Sequence, residues 1–141
     1  MKKHFVLGLT IMGVLFLFSC KKKDSVTVVG KWKFEKERYR YAYTNFNQQV
    51  ITKDTTIFYG VPRYLNLDGN GNFQFSCDTC SSTSETGTYL SSNNKLILTF
   101  SGASSNDTLD IETLTSSDLT LHNYWYQSPT NYDEFWLYLK K

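Results

Sequence analysis

The sequence predicts an all-β protein, an antiparallel up-and-down meander that closes into a barrel of about eight to ten strands. Three observations carry this. Apolar and polar residues alternate along many short stretches, as in Trp32 and Phe34 set against Lys31, Lys33 and Glu35, which is the period of a half-buried strand. Alanine, the strongest helix former, stands only at Ala42 and Ala103, while Thr, Ser, Tyr, Phe and Val are plentiful. Finally, polar turn residues separate one alternating stretch from the next. A meander this long leaves two exposed edges unless it closes, and closure removes them.

The beginning of the chain is of another kind. Lys2 and Lys3 precede an apolar run from Phe5 to Phe18, and Leu17-Phe18-Ser19-Cys20 follows. The run is shorter than the ~20 residues of a spanning helix, and a small residue just before cysteine is what a lipoprotein signal peptidase accepts. Residues 1–19 therefore read as a lipoprotein signal peptide, with Cys20 as the lipidated first residue of the mature chain. Residues 20–27 read as a polar tether and 28–141 as the folded domain. Without residues 1–19, thirteen basic residues balance thirteen acidic ones. The basic residues crowd Lys21 to Arg40, whereas acids dominate beyond Asp54. A basic cluster beside a lipid anchor is drawn to anionic head groups. It is too short and too local for a nucleic-acid footprint. The expected place is the cell envelope, anchored to a bacterial membrane, with the outer membrane favoured and the face undecided.

The strands are expected in this order. The first runs from Val29 toward Thr44, and its apolar parity changes from even (Trp32, Phe34) to odd (Tyr39, Tyr41, Tyr43). A bulge near Lys36 reconciles the two, since one extra residue moves every later side chain to the other face. Next come Gln48 to Tyr59, Tyr64 to Leu67 and Asn72 to Cys77. Asp68-Gly69-Asn70-Gly71 joins the last two with residues that tolerate the positive φ of a tight turn. Gly87 to Leu90, Lys95 to Ser101, Thr108 to Leu114, Asp118 to Tyr126 and Tyr132 to Lys140 complete the series. Alternation assigns the core to Trp32, Phe34, Leu65, Leu67, Phe73, Phe75, Leu96, Leu98, Phe100, Leu109, Ile111, Leu119, Leu121, Trp125, Phe135, Leu137 and Leu139.

Gly30-x-Trp32, the hairpin Leu65-Asn66-Leu67-Asp68-Gly69 leading to Phe73-x-Phe75, then Gly87-Thr88-Tyr89 and Leu96-x-Leu98, resemble bacterial lipocalin-like lipoprotein domains in order and spacing, over about Val28 to Leu139. The resemblance implies a barrel whose Gly30 and Trp32 plug one end and whose other end is open to a small apolar ligand, with Tyr89 and Trp125 as candidate lining. Typical lipocalins also pack an arginine on this tryptophan, and no such arginine is found here. The alternative is a structural or adhesive surface protein with a filled core and an aromatic binding face.

Few residues suggest chemistry. Cys77-Asp78-Thr79-Cys80 is a pair left over once Cys20 is assigned, and in an exported chain such a pair favours a disulfide. A redox dithiol would want a following helix or nearby positive charge to lower a thiol pKa, and Ser81 onward has no helical pattern. Two thiolates lack two further ligands for zinc. Asp68-Gly69-Asn70-Gly71-Asn72 imitates the start of a calcium loop, but Thr79 stands where the bidentate acid belongs. His122 could act as a base beside Asp118 or Asp133, and reads better as a polar surface residue. Glu35 and Glu37 are expected to form ion pairs across strands. Tyr39, Tyr41 and Tyr43, with Tyr124 and Tyr126, could form a stacking surface for a glycan or simply stabilise the sheet. The sequence thus predicts no enzyme, no cofactor and no metal. The expected partners are a membrane, through the anchor, and a small apolar ligand or glycan.

Overall fold

The computed structural model describes residues 26–80 and 84–141. The expected signal peptide, and Cys20 with it, lies outside the described residues. Nine antiparallel strands follow one another: β1 (Gly30–Thr44), β2 (Val50–Phe58), β3 (Arg63–Leu67), β4 (Asn72–Cys77), β5 (Thr86–Ser92), β6 (Lys95–Phe100), β7 (Asn106–Leu114), β8 (Asp118–Ser128) and β9 (Asn131–Lys140). Each strand pairs with the next except at β2, and β9 returns to β1. The barrel is therefore closed by eight strands, β1 and β3 to β9, and β2 lies outside the ring.

The length of β1 explains the ninth strand. One edge of β1 pairs first with β3, from Gly30 opposite Leu67 to Lys33 opposite Tyr64. The same edge then pairs with β2, from Lys36 opposite Phe58 to Thr44 opposite Val50. Its other edge follows β9 from Lys33 opposite Lys140 to Ala42 opposite Tyr132, with a register shift between Phe34 and Lys36. That shift is the bulge the parity change required. It keeps Tyr39, Tyr41 and Tyr43 on the sheet face begun by Trp32 and Phe34.

β7 leaves β8 after Asp110 opposite His122, so the second half of β8 pairs only with β9. Beyond the barrel, β2, β1, β9 and β8 thus continue as a four-stranded extension. This corrects the place of Trp125. Alternation had put it in the core, yet it lies on the part of β8 that has left the barrel and is 54% exposed.

Within the barrel, Trp32, Leu65, Leu67, Leu96, Leu98, Leu119, Leu121 and Leu139 are almost wholly buried, and Phe75, Phe100, Ile111, Phe135 and Leu137 pack against them half-buried. Val28 and Tyr89 also belong to this core, and Ala42 is buried on the extension between β2 and β9, although the alternation pattern does not select them. Gly87 stands opposite Phe73 and Phe100 in the ladders. A Cβ there would run into the Thr99 carbonyl oxygen and come within 2.6 Å of the Phe73 ring, so the ring lies where a side chain would otherwise be.

Candidate functional site: the barrel mouth

The two barrel ends differ in what fills them. At one end the Trp32 indole is fully buried and its Nε1–H donates to the Val28 carbonyl at 2.6 Å. The Lys141 ammonium sits 4.4 Å from the Trp32 ring centroid, held there by its own backbone N–H on the Ser117 carbonyl. The cation that typical lipocalins take from arginine is supplied here by Lys141. Gly30, at φ 146°, leaves room for that chain, because a Cβ would meet Lys141 Cε at 2.5 Å.

Tyr89 belongs to this closed end. Its hydroxyl donates to the Asp68 carbonyl at 2.6 Å and its backbone N–H to Gly71, in the turn that follows Leu67, the partner of Gly30. Tyr89 is a core and turn-anchoring residue rather than part of an open lining. The Asp68 carboxylate is engaged by the backbone N–H groups of Asn70 and Asn72, both at 2.8 Å, and by the Asn72 amide at 2.9 Å. Bonds from the Asn72 side chain and backbone, then from Asn70 and Gly71, hold its pKa below the usual carboxylate range. Its oxygens serve the hairpin, as the ordinary turn reading expected.

The other end holds a cavity of about 410 Å³ lined by Phe34, Tyr59, Arg63, Phe75, Cys77 and Glu85 among others. Phe34 is the last inward side chain of β1 before the bulge. Phe75 lines the cavity, and behind Phe75 the rings of Phe73 and Phe100 pack, with Phe73 edge-on to Phe100 at 5.1 Å and Phe75 stacked on Phe100 at 6.1 Å. Phe34 lies 6.0 Å from Phe75.

Tyr59 follows β2 directly, and its ring meets Phe34 edge-on at 5.7 Å. Its hydroxyl donates to Glu37 Oε2 at 2.6 Å. Burial first, and then the bond to the Glu37 carboxylate, push the Tyr59 phenol well above its ordinary pKa. The phenol is therefore neutral and a donor throughout the physiological range. The Arg63 guanidinium lies 5.0 Å from the Tyr59 ring centroid, and among the described residues it forms no ion pair. Cys77 and Cys80 form a disulfide with Cα atoms 5.4 Å apart, and both line the cavity.

The mouth thus combines aromatic walls with the Arg63 cation, the Glu85 carboxylate and two bonded phenols, Tyr59 on Glu37 and Tyr64 on Asp78. A family model described as a lipocalin-like domain matches residues 28–121. The chain belongs to that family. A lipocalin-like protein from Bacteroides uniformis ATCC 8492 has a crystal structure that is similar at 16% identity and a TM-score of 0.47, covering 80% of this chain and 96% of that one. No curated protein matches the chain.

The remaining candidates of this lipocalin-like domain lie on the extension. Tyr39, Tyr41 and Tyr43 form a ladder with centroids 5.5 and 6.0 Å apart, and the Tyr39 hydroxyl donates to Asp133 at 2.9 Å. Tyr124 and Tyr126 stack at 5.7 Å, with Tyr132 5.8 Å from Tyr124. Tyr39 and Tyr41 stand opposite Phe135 and Asp133, whereas Tyr124 and Tyr126 stand opposite Glu134 and Tyr132. The two groups occupy opposite faces of one sheet, so they cannot make the single stacking surface that their sequence pattern allowed.

His122 lies on the Tyr124 face. Its Nε2 is 3.0 Å from Glu134 and its Nδ1 3.4 Å from Glu112, and its ring stacks on Trp136 at 4.8 Å. Neither Asp118 nor Asp133 is its partner. The cross-strand register chose glutamates that sequence order could not reveal. The same face carries Arg38 and Arg40 on Asp54, and Arg40 also reaches Glu134 at 3.6 Å. Of the two expected acids, Glu35 pairs with Lys33 along its own strand at 3.4 Å, while Glu37 takes the Tyr59 hydroxyl. No group of three metal-ligating side chains gathers among the described residues.

Proposed function

We propose that this protein is a lipid-anchored protein of the cell envelope whose lipocalin-like barrel binds a small, largely apolar ligand at the mouth. The observation that carries the reading is the cavity of about 410 Å³ bounded by Phe34, Tyr59 and Phe75 with Arg63 at its rim. That volume lies within the ~300–1,000 Å³ of small-molecule sites, which combine apolar walls with few polar groups. The role is binding rather than catalysis, since the Tyr59 hydroxyl and the Glu37 carboxylate are committed to each other. The anchor rests on Leu17 to Cys20.

Thermal melting with a panel of fatty acids, hydrophobic dyes and oligosaccharides tests the proposal. A mouth ligand at a hundredfold excess over its Kd stabilises the fold by ~2.7 kcal/mol. If no member of the panel moves the melting temperature, the mouth is not a site for these classes. The second reading, a surface-interaction protein, would then gain. It is favoured by the exposed stack of Tyr124 and Tyr126, and oligosaccharide binding lost in Tyr124→Ala would select it.

A further inference from the structure

We propose that the outer edge of β2 is the seam of a two-fold dimer, in which β2 pairs antiparallel with β2 of a second copy about Asp54. Strand β2 ends the order of the sheet and pairs only with β1. Eight of its nine residues are exposed. Natural edges are kept apart by short length, proline, bulges, inward charges or charged side chains, and of these β2 carries only Lys53 and Asp54. β2 is nine residues of Val50-Ile51-Thr52-Lys53-Asp54-Thr55-Thr56-Ile57-Phe58 with no proline, and its pairing with β1 shows no register shift. Phe58 is 74% exposed, Val50 and Ile57 each 49%.

The sequence of this edge is complementary to itself. A two-fold axis normal to the sheet keeps directly opposite residues on one face, so the axis must pass midway between the two copies of a single residue. Centred on Asp54, Ile51 faces Ile57 of the second copy, Val50 faces Phe58, and Thr52 faces Thr56. Every exposed apolar residue of the strand then meets an apolar one. Centring on Lys53 instead opposes two lysines and leaves Ile51 against Thr55. Centring on Thr55 sets Lys53 against Ile57 and Thr52 against Phe58. The one like-charged pair at the chosen centre, Asp54 with Asp54, is countered from both sides by Arg38 and Arg40, each already within 3.3 Å of its own Asp54.

The same register lays the turn carrying Phe46, wholly exposed, alongside Gly60 to Pro62 of the second copy, where Val61 is also exposed. The four-stranded extensions of two molecules would join into one continuous sheet of eight strands. The pairing is argued from β2 alone, so the dimer does not depend on the ligand proposal.

Register-specific cross-linking of the full chain tests this. Opposed residues in an antiparallel pair have Cα atoms about 4.5–5.5 Å apart, within disulfide reach. Thr52 and Thr52 of the second copy would be four positions apart, about 13 Å. Thr52→Cys and Thr56→Cys proteins, carrying different tags, are mixed under mild oxidation beside the wild type. The dimer band is expected in the mixture and not above the wild-type level for either variant alone. In sedimentation the wild type should run at dimer mass and Ile57→Lys at monomer mass, with an unchanged all-β circular-dichroism spectrum and a melting temperature that no longer rises with protein concentration. A monomeric wild type, cross-linking in either single variant equal to the mixture, or a ladder of higher oligomers from pairing of β2 with the free edge of β8 would each overturn the proposal.

Discussion

The Lys141 ammonium stands 4.4 Å over the Trp32 ring, so the cation that completes the closed end comes from a residue more than a hundred positions away from its indole. A cation over an indole contributes from ~0.5–1 kcal/mol when exposed to ~2 when desolvated. Lys141→Ala is therefore expected to cost about 1 kcal/mol in chemical denaturation, and Lys141→Arg to restore most of it. Trp32→Ala removes a fully buried ring and should cost about 3–5 kcal/mol. Equal losses in the two alanine variants would show that the ring's packing depends entirely on the lysine.

At the mouth, Phe75→Ala should abolish the melting shift given by any ligand that binds there. Its own stability cost should be below that of Trp32→Ala, because Phe75 is only half-buried. Trp125→Ala, on an exposed part of β8, should leave both stability and mouth binding near wild type. Binding lost in Trp125→Ala but kept in Phe75→Ala would move the site onto the extension.

Gly87 offers a test of packing by addition. Its missing side chain leaves room for the Phe73 ring and the Thr99 carbonyl, and overpacking costs about 1–3 kcal/mol. Gly87→Ala should lower the free energy of unfolding by that amount. Gly102→Ala is the wrong comparison, since its φ of 84° adds backbone strain. Gly69, with open space around it, is the better control. Equal effects at Gly87 and Gly69 would refute the close approach.

Acid should loosen the extension before the barrel. The hydrogen bonds and charge of Arg38, and then of Arg40, lower the Asp54 pKa to about 2. A depressed carboxylate pKa contributes stability that is present above the unfolded value of ~3.9 and is lost as pH falls through the folded value. Asp54 is exposed and screened by solvent, so the effect is small. The protection of β2 amides against hydrogen exchange, referred to the intrinsic rate at each pH, is expected to fall between about pH 4 and pH 2 in the wild type, and Asp54→Asn should remove that dependence. An unchanged acid dependence in Asp54→Asn would assign the effect to other groups.

Anchoring is tested at Cys20. Cys20→Ser should abolish fatty-acid labelling and release the protein from membranes. Retained labelling in that variant would end the lipoprotein reading.

Nine strands were legible in the sequence because alternation is local and each gap contains a turn signal. The bulge near Lys36 was legible for the same reason, as a change of parity within one strand. What lay beyond reach was the choice of partner. Nothing local in Val50 to Phe58 distinguishes a barrel strand from one left outside, and nothing in Trp125 reports that β7 has already turned away. Tyr59, central to the mouth, stands at the end of an alternating run just before Gly60-Val61-Pro62. That chain break was its only mark. Tyr89 was the opposite case, since it shares parity with Gly87 and with the Phe73 and Phe75 face, and its burial could have been read.

One edge of β1 is shared by two strands with different surroundings, and this divides the protein's cooperativity. The amides that join β1 to β3 are closed under a wholly buried Leu65 and Leu67 and can open only when the barrel does. Within a single copy, those joining β1 to β2 lie in a sheet whose outer strand pairs on one side only, where fraying costs little apolar contact. A single continuous strand therefore belongs to two units of unfolding, and the boundary falls at the bulge between Phe34 and Lys36. Tyr59, tied to Glu37 on one side of that boundary and packed on Phe34 at the other, is the side chain through which occupancy of the mouth would be felt by the sheet beyond it.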